Sequence, residues 1–225
     1  MLKSLLRPVF RAAVRVYDPI VRQNIHGASV LLPISHGLPR CIQANPFYDT
    51  ALPAWCKFLA DRLPAATRLC VIDVGANVGD TAALIAHAAP NTDFICIEAD
   101  PAYLPLLVRN TKGLSVKIFA VALGDKTTTS HMQIVHARRG TSSISEATDG
   151  SELKTMRSDD ILVQSPMAPD VLKIDTDGFE GPILRGAKNM LATQGTSIFI
   201  EFSPWHLETY GKEQMGRERL YDSRH

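Results

Sequence analysis

The stretch Leu69-Cys-Val-Ile-Asp-Val-Gly-Ala-Asn-Val-Gly-Asp80 decides how this chain is read. A nearly unbroken apolar run, with an acid close to its end, passes into a turn of small residues and then into an alanine-rich segment, Thr81 to Ala89, that Pro90 stops. Apolar character without alternation marks a strand buried on both faces, as parallel strands beneath helices are. Where such a strand feeds a helix, open α/β sheets bind their ligands.

Downstream the pattern repeats. Thr92 to Glu98 reads as a second strand, Pro101 to Asn110 as a helix with proline at its start, and Val116 to Leu123 as a third strand. Val171 to Asp175 is a fourth strand, Pro182 to Leu191 a helix and Ser197 to Phe202 a fifth strand, with one more helix expected over His206 to Tyr210. Strands alternating with helices across short joins predict an α/β fold: a mostly parallel sheet with helices on both faces. Between Gly124 and Pro169 the composition shifts to Thr, Ser and Gly, which predicts a small antiparallel excursion with a short helix near Asp159 to Val163.

Upstream, apolar residues from Leu2 to Tyr17 recur at three- and four-residue steps, opposite Lys3, Arg7, Arg11 and Arg15. Such a basic amphipathic helix fits docking on its own domain or on a second copy in a homo-oligomer, and it also fits a peripheral contact with an anionic membrane. Val21 to Pro46 is broken by Gly and Pro and reads as a cap, with Ala28 to Leu32 and Cys41-Ile42 forming a hairpin. Phe47 to Leu63 returns to helical spacing, with Leu52, Trp55, Phe58, Leu59 and Leu63 as its expected buried stripe. The expected organisation is therefore an N-terminal helix and cap over 1–46, an α/β domain over 47–210 and a polar tail over 211–225.

A chain of 225 residues holds one sizeable α/β domain with a short extension, and 45% hydrophobic content excludes disorder. The net charge of +1 gives no support for nucleic-acid binding, so a small molecule or a glycan is the expected partner. Cys41, Cys56, Cys70 and Cys96 form no C-x-x-C pair, and no metal is expected. Nothing reaches the roughly 18 consecutive apolar residues of a spanning helix, and the N-terminus lacks a signal-peptide pattern; a cytoplasmic location is expected.

Three predicted strands end in acids, Asp73, Glu98 and Asp175, and the ends of parallel strands share one edge. All three are expected to converge on one crevice, where buried carboxylates need a cationic or hydrogen-donating ligand. A nicotinamide dinucleotide would want G-x-G-x-x-G and a pyrophosphate on the helix start. Here Asn77 and Asp80 stand where glycines would, and the acids oppose a phosphate. S-adenosyl-L-methionine, which lacks phosphate and carries an ammonium and a sulfonium, suits such a turn better. For a transfer needing a base near the reacting centre, Asp175 leads, with Asp177, Glu201 and His206 in reserve; a capping or loop-fixing acid is the equal alternative for Asp175.

In order along the chain stand Val-Ile-Asp-Val-Gly-Ala-Asn-Val-Gly-Asp, Ile-Glu-Ala-Asp-Pro, Ala-Leu-Gly-Asp, Gly-Thr-Ser-Ser-Ile, Leu-Lys-Ile-Asp-Thr-Asp-Gly-Phe-Glu and Leu-Arg-Gly-Ala. From about Phe47 to His206 the chain thereby resembles the FkbM-type S-adenosylmethionine-dependent methyltransferases. The resemblance implies a class I methyltransferase (Rossmann-like) sheet and O-methylation of sugars or other hydroxylated compounds. It implies that Gly75, Ala76, Asn77 and Gly79 wrap the cofactor's amino-acid end, with Asp73 meeting its ammonium directly or through water. Glu98 would accept from the ribose hydroxyls, Ala99 and Asp100 would lie beside the adenosine, and Ala122 would line the adenine. Asp177 departs from the family, which often has Glu there, and the fold is expected to lack the usual C-terminal antiparallel strand pair. A non-catalytic member of the same fold, binding a membrane or partner, is the alternative expectation.

Overall fold

The computed structural model describes residues 14, 16–136, 142–146, 151–165, 168–192 and 195–201. The amphipathic helix expected over Leu2 to Tyr17 falls almost wholly outside the described residues, as do the helix expected from His206, the polar tail and the question of the C-terminal strand pair.

The opening stretch forms β3 (Leu69–Val74), and every residue of it is buried. It pairs in parallel with β4 (Thr92–Ile97) on one side and β10 (Val171–Ile174) on the other. β5 (Ser115–Phe119) extends the sheet beyond β4, and β11 (Ser197–Ile200) extends it beyond β10. The order is β11-β10-β3-β4-β5, all parallel. The chain runs outward from β3 to β5 and later resumes on the other side at β10. The point of reversal, where ligand crevices open in such sheets, therefore lies between β3 and β10.

Side-chain alternation along β3 fills two cores. Ile72 and Val74 point to the face covered by α5 (Ser158–Gln164), α6 (Glu180–Arg185) and α7 (Lys188–Ala192), through Ile161, Ile183 and Met190. Leu69 and Val71 point to the face covered by α2 (Ala51–Ala60), α3 (Asp80–Ala88) and α4 (Leu104–Asn110), through Leu52, Cys56, Ala82, Ile85 and Leu107. The chain therefore has the predicted mostly parallel α/β sheet with helices on both faces.

Several elements differ from expectation. The third strand is two: β5 stays in the main sheet, whereas β6 (Ala122–Gly124) leaves it to pair in parallel with β9 (Ser151–Arg157). β9 pairs antiparallel with β7 (Thr128–His136), and β7 with β8 (Ser142–Glu146), making the predicted antiparallel excursion a four-stranded sheet. The hairpin is formed by β1 (Ile20–Ile25) and β2 (Ala28–Pro33), because His26 and Gly27 both take positive φ and close a two-residue turn. Cys41 and Ile42 instead lie in a short helix, α1 (Leu38–Ala44). In α2 the buried positions are Leu52 and Cys56, while Trp55 and Phe58 face outward and stack on each other at 5.1 Å.

The hairpin is part of the packed body. Its Ile25, Val30 and Leu32 form a third core with Val78, Leu84 and Leu106. Asn110 at the end of α4 fastens it: the side-chain oxygen accepts from the Leu31 N–H at 2.7 Å, and the side-chain nitrogen donates to the Leu31 and Val78 carbonyls at 3.0 and 2.8 Å. One amide thus ties β2, α4 and the turn after β3 together. Replacing Asn110 with Ala leaves these half-buried groups without partners, and urea denaturation is expected to register a loss of about 1–3 kcal/mol, with faster amide exchange at Leu31 than in β3.

Candidate active site

The turn after β3 is shaped by close approach. Gly75 takes φ +77°, and a Cβ there would stand 1.8 Å from the Asp175 carbonyl oxygen, so no side chain fits. The N–H groups of Gly75 and Ala76 both donate to the Ile97 carbonyl at 3.0 Å, which brings the end of β4 against the turn. Asn77, in the left-handed region at φ +48°, presents its N–H to Glu98.

Glu98 is the hinge between the two strand-end loops. Its carboxylate accepts from the Asn77 N–H and the Asp100 N–H, each at 2.7 Å. Burial raises its pKa, and those two backbone donors and the Lys173 ammonium oppose the rise. The carboxylate is held in one orientation with acceptor capacity left over for hydroxyls on the open side.

Two adjoining cavities lie over the reversal point. The smaller, about 670 Å³ counting the space open to solvent, is lined by Gly75, Asn77, Glu98, Ala99, Asp175 and Asp177 on its polar side. Ile97, Val121, Ala122, Leu123, Phe179 and Ile183 form an apolar slot in the same cleft. Among the described residues its lining holds carboxylates and no Lys, Arg or His. The larger, about 1420 Å³ counted in the same way, shares Gly75, Asn77 and Asp175 with it and extends under α1 and α2 to Tyr48, Asp49, Asp80, Lys173 and Glu201.

The expected convergence of three acids is corrected by the structure. Glu98 and Asp175 line the smaller cleft, but Asp73 is fully buried beneath the turn and lines neither cavity. Its partner is Lys173, which the sequence reading passed over: Nζ lies 3.0 Å from Asp73 Oδ1, donates to the Gly75 carbonyl at 3.1 Å and lies 3.4 Å from Asp175 Oδ2. Burial works against the charge on Lys173, but Asp73, Asp175 and Asp80 outweigh it and raise its pKa above the ordinary lysine value. A lysine inside the buried run Val-Leu-Lys-Ile was the available signal, since an ammonium there needs a carboxylate partner.

The other predicted residues divide in the same way. Ala99, Ala122 and Asp177 reach the cleft, Asp177 through a left-handed backbone at φ +52°. Ala76 and Asp100 are buried, the latter accepting from the Ala102 N–H at 2.9 Å, and Gly79 starts α3 against Leu107. His206 lies outside the described residues. Glu180 accepts from the Thr176 and Gly178 N–H groups at 3.3 and 3.0 Å and so orders the loop that carries Asp177. Among the described residues no group of three or more His, Cys, Asp or Glu side chains is disposed to hold a metal ion, and no helix is long and apolar enough to cross a membrane.

Residues 73–222 match the family model of the methyltransferase FkbM domain. A solved methyltransferase FkbM from Methylobacillus flagellatus KT is 19% identical, with a TM-score of 0.48 over 66% of this chain and 36% of that one. The chain thus spans about a third of that relative's length. Precorrin-6y C5,15-methyltransferase from Geobacter metallireducens GS-15 is 16% identical, with a TM-score of 0.41 over 71% of this chain and 66% of that one. The plantazolicin methyltransferase BpumL, solved in complex with SAH, is 14% identical, with a TM-score of 0.35 over 72% and 51%. No curated protein matches the sequence.

Removing one member of the buried pair exposes what it holds. Lys173→Met leaves the Asp73 charge uncompensated and is expected to cost about 3–5 kcal/mol. The double variant Lys173→Met with Asp73→Asn is expected to recover more than half of that loss in chemical denaturation.

Proposed function

This chain belongs to the FkbM methyltransferase family, and from that premise we propose that it is an S-adenosylmethionine-dependent O-methyltransferase acting on a hydroxyl of a glycan or other hydroxylated metabolite. The observation that carries the reading is the smaller cleft: among the described residues, carboxylates without a basic residue on one side and an apolar slot on the other, at the reversal point of the sheet. A phosphate there would face the carboxylates of Glu98, Asp175 and Asp177. A cofactor with a flat heterocycle, vicinal hydroxyls and net positive charge finds a partner for each part, so the residues present fit S-adenosylmethionine.

Within that reading the chain's residues divide the work. Glu98, fixed by two N–H donors, accepts from the ribose hydroxyls, and Val121, Ala122, Leu123 and Phe179 enclose the adenine. Gly75 and Asn77 border the amino-acid end. Asp73, withdrawn from both cavities, acts through Lys173, which fixes the Gly75 carbonyl. The bound cofactor supplies an electrophilic methyl group. The acceptor belongs in the larger cavity, which meets the cleft at Gly75, Asn77 and Asp175 and is wide enough for a sugar ring. Holding the acceptor oxygen in line behind the methyl carbon supplies much of the acceleration.

Isothermal calorimetry tests the reading. S-adenosylmethionine and its demethylated product are expected to bind and NAD is not; folded protein that binds neither of the first two would refute it. Glu98→Gln loses one acceptor for the ribose pair, and its affinity for both ligands is expected to fall by about 1.5–3 kcal/mol, or roughly ten- to a hundredfold.

A further inference from the structure

The loop between α1 and α2 brings to the larger cavity an acid that cofactor binding leaves unused. Asp49 has φ +58°, a left-handed backbone that among non-glycine residues Asn and Asp adopt most readily. It is half-buried, and among the described residues no hydrogen-bond donor engages its carboxylate. Facing it are Asp80 at the start of α3, Asp175 and Lys173 from β10 and its end, and Glu201 beyond β11. From its own side of the cavity come Tyr48, Cys41 of α1 and His36.

Of these acids, Asp175 already shares the Lys173 ammonium at 3.4 Å, so protonating it would give up an ion pair. Among the described residues Asp49 has no such ion pair. We propose that Asp49 is the catalytic base for methyl transfer: the acceptor hydroxyl in the larger cavity gives its proton to the Asp49 carboxylate. As it does so, the acceptor oxygen forms its bond to the methyl carbon, the carbon–sulfur bond breaks, and that electron pair stays on sulfur. This assignment rests on the methyltransferase reading above.

The electrostatics of the cavity favour the role. Burial raises the Asp49 pKa, Asp80, Glu201 and Asp175 raise it further, Lys173 opposes them, and the result is about 7. A carboxyl with that value takes a proton far more readily than an ordinary aspartate near neutral pH and is still substantially ionised there. The sign of the linkage follows. A ligand of net positive charge beside Asp175 favours the ionised form of Asp49, so binding expels a proton at pH values near 7.

Three measurements on the full chain test the proposal. In a carboxyl carbon-13 titration of aspartate-labelled protein, one signal is expected to titrate near pH 7 and to vanish in Asp49→Asn, a side chain that tolerates positive φ. Calorimetry with S-adenosylmethionine in buffers of different ionisation enthalpy is expected to show proton release at pH 7 that Asp49→Asn abolishes, with affinity changed less than about threefold. Methyl transfer from labelled S-adenosylmethionine to a panel of simple glycosides is expected to fall at least about a hundredfold in Asp49→Asn.

Transfer by that variant within about threefold of the native rate, or an Asp49 signal titrating below pH 5, overturns the proposal. Where the native chain methylates none of the glycosides, the proton count decides, and release independent of Asp49 overturns it. A native chain that binds neither the cofactor nor its product refutes the methyltransferase reading instead, while the carbon-13 titration still reports Asp49 on its own.

Discussion

A single ammonium group, buried where the sheet reverses direction, holds the functional end of this fold together. Lys173 reaches from β10 across to β3, where it meets Asp73, and upward to the carbonyl of Gly75 and the carboxylate of Asp175. Two charges removed from water repay their desolvation only when geometry and further hydrogen bonds are good, and here a backbone carbonyl and a second carboxylate complete the set. Position matters more than energy in this case. A hydrophobic pair of similar volume would hold the strands together but would leave the Gly75 carbonyl and Asp175 without a common anchor.

That anchor explains why the two cavities adjoin. Gly75 approaches Asp175 so closely that only a hydrogen fits between them, and both residues border the smaller cleft and the larger cavity. The two cavities are thus separated by one backbone turn. The proposed in-line transfer demands such thinness, because the reacting atoms must come within about 3–3.5 Å of each other. Asn110 and Glu98 brace the turn from other directions, the first from the hairpin and α4, the second from the end of β4.

Most of the sheet was legible in the sequence because parallel strands covered on both faces must be apolar throughout, and Leu69 to Val74, Thr92 to Ile97 and Val171 to Ile174 are nearly so. Turn chemistry was legible for a similar reason: glycines flanked by acids at a strand end have few structural uses. What escaped depends on contacts between distant segments. Asp73 and Glu98 look alike as strand-end acids, yet one faces inward to a lysine a hundred residues later and the other faces the cleft. Trp55 and Phe58 fit the helical stripe of α2 as well as Leu52 does, and only the placement of α2 over the sheet selects Leu52 and Cys56 for burial. Asp49 carried no local signal at all, since its character comes from burial first and then from Asp80, Glu201 and Asp175 on three other elements.

The four cysteines, unpaired and unequal, give the molecule a built-in probe. Cys56 and Cys70 are buried with thiols pushed up to about 12, and Cys96 is buried between sheet and helices with its pKa raised as well, so all three are poor nucleophiles. Cys41 is partly accessible and sits in the wall of the larger cavity. A thiol-reactive dye added to the unaltered chain therefore lands beside the larger cavity, where its emission reports filling of that cavity without any engineered label.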